Sequence, residues 1–284
     1  MKKLVSVVVP IYKRMEDLYE FERISWQQCL RVFRHYDMQL VCPAGFDISD
    51  YTRDLAQRGI HGRVCRFSDS YFKSTHTYNK LLQSIDFFRT FRDYEYILIT
   101  QLDVFLFVDK LQEWCRAGYS YVGAPWFKGF LPSSEEAELW TVGNGGLSLR
   151  RIEDCLRVLT TFSFILPWGA TLQESFAEGW KKGLRTLPAV LRRLILGNNT
   201  HHYFNGYPLQ EDIFWSVICA RKFPWYTMPS PREALNFSFE VLPDVMYKMN
   251  NEQLPMGCHA WEKYNVEFWR PFVEKEGYAL NNLR

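Results

Sequence analysis

Residues 96–103, YILITQLD, predict a short buried strand that ends on an acid. Tyr96 to Thr100 are aromatic, aliphatic or β-branched without a break, which suits a strand covered on both faces. Moving outward, the same signature recurs at Leu4–Val9, stopped by Pro10, at Met38–Cys42, closed by Pro43, and at Val64–Phe67. Helical spacing fills the gaps. Leu18, Phe21, Ile24, Cys29 and Leu30 fall near one face of residues 16–35. Asp50–Gln57 reads as a short helix ended by Gly59, and Leu81, Leu82, Ile85 and Phe88 give Tyr78–Phe91 a helical period. Strands alternating with helices predict an α/β fold around a mostly parallel sheet.

Toward the C-terminus the pattern loosens. Residues 139–150 hold Gly143-Asn144-Gly145-Gly146 between strand-like flanks; 151–196 read mainly as helix, 197–210 as loop and Phe214–Ala220 as helix. Pro224, Pro229, Pro231, Pro243 and Pro255 break the remainder into short pieces. No repeat, low-complexity tract or linker appears. Residues 1–284 therefore read as one domain with a helical insertion at about 152–205.

Composition narrows the function classes. The chain is 47% hydrophobic and 23% charged, which excludes disorder and coiled coil. Its 34 basic and 32 acidic residues leave a net charge of +2, so no global field favours nucleic acid, and no nucleic-acid reading motif is present. Seven cysteines without a CxxC pair argue against a zinc ribbon and a disulfide framework, and predict free thiols in a reducing cytoplasm. The apolar run Leu4–Val9 is too short to span a bilayer and lacks a cleavage site, so it reads as a strand rather than a signal peptide.

Four pieces could carry chemistry. Asp103, at a strand end, could hold a hard cation or simply cap a turn. Gly143–Gly146 could let a ligand approach the backbone, or form a hairpin turn. Glu211-Asp212 open a helix, where acids cap the end, or where one could act as a general base. His259, in CHAW, becomes a metal ligand only if it reaches the cation at Asp103.

Taken in order, VVVPIYKR, QLD, GNGG, QED and a late histidine resemble the GT-A nucleotide-sugar glycosyltransferases. The phrases YEYILITQLDVFLF, YSYVGAPWF, GNGGLSLR and GCHAWEKY look like a little-characterised bacterial GT-A-like family carried as a domain of unknown function. The likeness runs from about residue 4 to about 270 and is weakest over 160–205. It implies a GT-A, Rossmann-like sheet and a sugar transfer from a UDP- or GDP-sugar to a glycan or lipid-linked glycan, in bacterial surface polysaccharide synthesis.

Residue by residue, the resemblance implies that Asp103 and His259 bind a divalent cation, Mn²⁺ ahead of Mg²⁺. Gln101 stands where the metal motif usually has its first acid, which reduces the charge at the site. With Gln101 and Leu102, the residues Pro10, Tyr12, Lys13, Asn79, Lys80, Gly145 and Gly146 would border the nucleotide sugar. Asp212, with Glu211 beside it, would be the catalytic base of an inverting displacement. Gln101 also motivates the rival reading, a non-catalytic carbohydrate- or nucleotide-binding module in the same shell.

Residues 180–196, WKKGLRTLPAVLRRLIL, carry five basic residues and no acid. They read either as an interfacial amphipathic segment, placing a cytoplasmic protein at the inner face of a membrane, or as a buried helix whose basic side chains snorkel.

Overall fold

The computed structural model describes residues 2–129, 131–163, 168–196, 199–200 and 210–280. In chain order the first half runs β1 (Lys3–Pro10), α1 (Glu20–Val32), β2 (Met38–Pro43), α2 (Ser49–Gln57), β3 (Gly62–Phe67), α3 (Thr75–Leu82), α4 (Ile85–Thr90) and β4 (Tyr94–Thr100). Next come β5 (Val104–Leu106), α5 (Leu111–Arg116), β6 (Tyr121–Val122), β7 (Ala124–Phe127), β8 (Leu139–Gly143), β9 (Leu147–Arg151), α6 (Ile152–Thr160), α7 (Trp168–Ala177) and α8 (Trp180–Leu196). The last part holds a helical stretch over 211–222, β10 (Ser238–Phe239), a helix at Pro243–Met249, β11 (Gly257–His259) and a helix at Val266–Lys275.

Six strands form the main sheet in the order β3-β2-β1-β4-β9-β6, with β9 antiparallel to both its neighbours and the rest running one way. The apolar runs of β1, β2 and β4 are buried on both faces, whereas β3 at the sheet edge buries only Cys65. Val7, Val9, Leu40, Cys42 and Leu98 face a core shared with α1, α2 and α5. Val8, Val41, Ile97 and Ile99 face the opposite core, with α3, α4 and α6. This is the period of two expected for strands, with no polar face left over. Each fully buried Val or Ile contributes about 1.5–3 kcal/mol, which explains why β1 and β4 tolerate almost nothing polar.

Two local expectations change. The helix expected over Tyr78–Phe91 is two helices, because Ser84 caps α4 by accepting from Phe87 N–H at 3.2 Å. The glycine-rich stretch is not a hairpin: β8 pairs with β7, whereas β9 pairs with β4 and β6. The loop 144–146 therefore crosses from one sheet to another.

The stretch read as an insertion includes α6, whose Ile152, Cys155, Val158 and Leu159 lie in the core. The chain then leaves the body and returns at Thr200, whose N–H donates to Ser163 O at 3.0 Å and whose hydroxyl donates to Thr161 O at 2.5 Å. Most of the loop expected over 197–210, including His201 and His202, lies outside the described residues. All seven cysteines are buried thiols. Among the described residues no helix is long and apolar enough to cross a membrane.

Candidate active site

A second, three-stranded sheet, β10-β11-β5, lines up the first half of the site. β5 pairs antiparallel with β11, Val104 opposite His259, and β10 pairs parallel with β11, Phe239 opposite Cys258. Asp103 precedes that pair and Glu240 follows the other, so Asp103, His259 and Glu240 sit in a row across one end of the sheet. His259 Nε2 lies 3.4 Å from Asp103 Oδ2, and His259 Nδ1 lies 3.0 Å from Glu240 Oε1. Trp126 Nε1 donates to Glu240 Oε2 at 3.4 Å.

Charge is balanced along this row. Burial works to lower the His259 pKa, but the Asp103 carboxylate and the hydrogen bonds to Asp103 and Glu240 hold it well above the ordinary imidazole value. Burial works to raise Asp103, and His259 beside it outweighs that and holds it below the usual carboxylate range. One atom remains open: Asp103 Oδ1 is buried without a hydrogen-bond partner among the described residues, while His259 Nε2 has only its 3.4 Å contact with Asp103 Oδ2. Buried polar atoms are rarely left so, and the exceptions often mark a missing ligand or ion. One carboxylate oxygen and one imidazole nitrogen are a donor set that a divalent cation accepts. Among the described residues, no group of three His, Cys, Asp or Glu side chains is gathered to hold a metal. The two donors therefore fit a cation whose remaining positions are filled by substrate and water, a common arrangement at phosphate sites.

The GNGG loop joins this row to the second half. Asn144 adopts φ 79°, in the left-handed region that asparagine tolerates better than most residues. Its Oδ1 accepts from the Gly146 N–H at 2.7 Å and the Leu147 N–H at 3.3 Å, and Gln101 N–H donates to Gly146 O at 2.9 Å. A Cβ on Gly145 would stand 2.2 Å from Glu211 Oε1, and one on Gly146 would stand 2.1 Å from His259 Nε2. The two glycines leave room for a carboxylate on one side and an imidazole on the other.

On the far side, Glu211 is buried in a two-point pair with Arg150, at 2.9 Å and 2.8 Å. Arg150 is fully buried. Its neighbour Asp212 is only partly buried and keeps a single local hydrogen bond, accepting from Ile213 N–H at 2.8 Å. Burial and then the Glu211 charge push Asp212 up to about 7. The helix that starts here runs directly into a π-helical stretch, Phe214–Cys219, a form found often at functional sites.

Beside both halves lies a cavity of about 320 Å³ lined by Tyr12, Phe72, Ser74, Thr75, Tyr78 and Gln101. Partial burial, then Asp103, Glu22 and Glu262, push the Tyr12 phenol up to about 12. Burial and then Glu211 raise the Tyr78 phenol, so the cavity faces the acids from both sides. Of the residues expected around a nucleotide sugar, Tyr12 and Gln101 line this cavity. Pro10 ends β1 and is buried, and Leu102 points into the core. Lys13 is engaged by Glu22 at 2.6 Å and lies 4.2 Å from the Tyr19 ring centroid. Asn79 and Lys80 sit further along α3, whereas the lining comes from Ser74, Thr75 and Tyr78 near its start.

The sequence reading missed Glu240, Arg150 and Glu262. The first two carried a signal: a charge set against the apolar runs FSFEVL and GLSLR requires a partner if it is buried. Glu262 carried none. Burial and then Asp103 push it up to about 7, and its Oε2 is buried without a hydrogen-bond partner among the described residues.

Residues 61–259 match a family described as a protein of unknown function, DUF5672, and the chain belongs to that family. No curated protein matches the sequence. Solved structures with a similar course include the glycosyltransferase GlyE of Streptococcus pneumoniae TIGR4, at TM-score 0.46 and 11% identity over 96% of this chain. The chain spans only 60% of GlyE. Galactosyltransferase LgtC, bound to donor and acceptor sugar analogues, gives a TM-score of 0.48 and 9% identity over 97% of this chain and 98% of its own. Core-mannan synthase A (CmsA/Ktr4) of Aspergillus fumigatus, in its Mn/GDP form, gives 0.39 and 10% over 75% and 72%. With identities of 9–11%, these likenesses assign no activity to this chain.

Proposed function

We propose that this DUF5672 protein is a glycosyltransferase that moves a sugar from a nucleoside-diphosphate donor to a hydroxyl acceptor, with inversion at the anomeric carbon. One observation carries the reading. Asp103, with its open buried oxygen, pairs with His259 against Gly146, and Glu211 against Gly145 precedes Asp212, an acid poised near neutrality, beside a cavity with two tyrosines. The motif order QLD, GNGG, QED and late histidine supports the same reading.

In this reading the nucleotide lies along the cavity of Tyr12, Tyr78 and Gln101. Asp103 and His259 would hold the divalent cation, Mn²⁺ ahead of Mg²⁺ for a mixed oxygen and nitrogen donor set. When bound, the cation neutralises charge on the departing diphosphate. Asp212 takes the proton from the acceptor hydroxyl on its carboxylate. The hydroxyl oxygen forms the new bond to the anomeric carbon as the bond to the diphosphate oxygen breaks, and the diphosphate leaves with that electron pair. A base with a pKa near the working pH suits this step and typically contributes about 10²–10⁴-fold. Glu211, committed to Arg150, holds Asp212 in place and raises its pKa. Glu240 acts through His259: it takes the Nδ1 hydrogen and leaves Nε2 to face Asp103, the carboxylate support usual behind a metal-binding histidine.

The acceptor class, a glycan or lipid-linked glycan, follows from the resemblance alone. The test is a thermal-shift screen with UDP, GDP and their sugars, with and without Mn²⁺, followed by assays for sugar transfer or donor hydrolysis. A ligand that binds only the folded state must raise Tm. The expected result is a Tm rise with one nucleoside diphosphate, enlarged by Mn²⁺, and donor turnover abolished by EDTA. Binding without any turnover would instead favour a non-catalytic binding module. No stabilisation by any nucleotide would refute both readings.

A further inference from the structure

The α7–α8 hairpin presents an apolar stripe to solvent rather than to the core. Trp180 is 66% exposed, Leu184 52% and Leu191 40%, and Leu187 is half-buried between them. At about 100° per residue these four positions fall within about 60° of one another on the helix. They form a single line along α8. Exposed Pro188 borders it, and Phe176 of α7, 40% exposed, extends it across the hairpin. The seam between the helices borders the stripe on the side away from Lys181, where a Cβ on Gly183 would stand 2.4 Å from the Phe176 ring.

A basic row runs parallel to the stripe. Lys181, Arg185 and Arg192 are all exposed and fall within about 40° of one another, roughly 110° round from the apolar line. α8 has no acid, and the two acids of the other arm, Glu174 and Glu178, are outnumbered by the five basic residues of 180–196. An exposed apolar line beside a row of basic residues with no acid is the pattern of a helix that lies in the plane of a lipid surface. A second copy of the chain would bring the same positive charge rather than a complement to it.

We infer that the α7–α8 hairpin docks this protein on an anionic lipid surface, with Trp180, Leu184 and Leu191 entering the acyl boundary and Lys181, Arg185 and Arg192 meeting the headgroups. The inference is independent of the proposed sugar transfer. It needs only the exposed stripe and its charge. The base of the hairpin is pinned by Thr200 to Thr161 and Ser163, so docking would hold the body, and the 211–222 helix just beyond, close to the surface.

The test is co-sedimentation of the full chain with vesicles of phosphatidylglycerol and phosphatidylcholine, and with vesicles of phosphatidylcholine alone. The wild type is expected to bind the anionic vesicles at least tenfold more strongly. Each basic residue near a charged surface adds appreciably to binding, so K181Q/R185Q/R192Q should weaken it at least tenfold. W180S/L184S/L191S should weaken it similarly, while Tm and donor turnover stay at the wild-type values because these side chains are exposed. Failure of the wild type to bind anionic vesicles, or unchanged binding by both triple variants, would overturn the inference. So would a lipid-free dimer that W180S/L184S/L191S dissociates, since the stripe would then belong to a second copy.

Discussion

The two sides of the GNGG loop bury charge in opposite ways. On the Gly145 side, both Glu211 carboxylate oxygens lie against the Arg150 guanidinium, one in a hydrogen bond at 2.9 Å and the other in an ion-pair contact at 2.8 Å. On the Gly146 side, Asp103, His259 and Glu240 form a row in which His259 Nε2 stands 3.4 Å from Asp103 Oδ2 and Asp103 Oδ1 has no hydrogen-bond partner among the described residues. A closed pair is a scaffold: it orients the backbone that carries Asp212. In the proposed reading the open row is the receptor: a buried carboxylate oxygen without a partner is costly unless something polar meets it.

The contrast can be broken experimentally. The largest effect is expected at the acid next to the closed pair. Asp212→Asn should lower kcat by about 10²–10⁴-fold while leaving nucleotide affinity nearly unchanged. Wild-type turnover in that variant would remove the base assignment. Next comes the closed pair. Arg150→Met leaves Glu211 buried without its cation and should cost about 3–5 kcal/mol of stability, read from urea unfolding. Arg150→Met combined with Glu211→Leu should recover most of that loss, since a pair of apolar side chains can replace a buried ion pair. No recovery would mean that the pair itself, rather than its charge balance, stabilises the fold.

On the open side, Glu240→Gln should weaken Mn²⁺ binding by about 10–100-fold, measured by calorimetry with the metal alone, with little change in Tm. Unchanged affinity would show that Glu240 does not orient His259. The smallest effect is in pH dependence. As the proposed base, Asp212 would work ionised, so kcat/KM should rise about tenfold per pH unit up to about 7 and level off above it. Stability runs the other way. The folded pKa is raised from 3.8 to about 7, so the contribution of this group is full below 3.8 and is lost as pH rises through 7. Asp212→Asn removes that loss, so its gain in Tm over wild type should grow between about pH 4 and pH 7 and stay level above. A Tm gain independent of pH would mean that burial does not raise Asp212.

The legible parts were those carried by local pattern. β1 and β4 announced themselves as unbroken apolar runs because both faces of a central strand are covered. Asp103, Asp212 and His259 stood out through residue type and motif order. The small sheet β10-β11-β5 was invisible, because strands of two and three residues have no period to detect. Its register is nonetheless what brings His259 to Asp103 and Glu240 to His259. Asn79 and Lys80 follow the cavity-lining Tyr78 directly on α3, and which of neighbouring helix positions faces a cavity is beyond what a motif can resolve.

Taken alone, the amino-acid sequence determined the alternation of strands and helices, the two-faced core and the residue types able to do chemistry. Those depend on hydrophobic period and side-chain identity, which are local properties. Tertiary structure alone decided which charge closes with which. Residues 150 and 211, or 103, 240 and 259, become neighbours only when distant segments pack. It also decided which acid is neutralised and which stays poised. A carboxylate's pKa is set by burial and by charges that arrive from other parts of the chain.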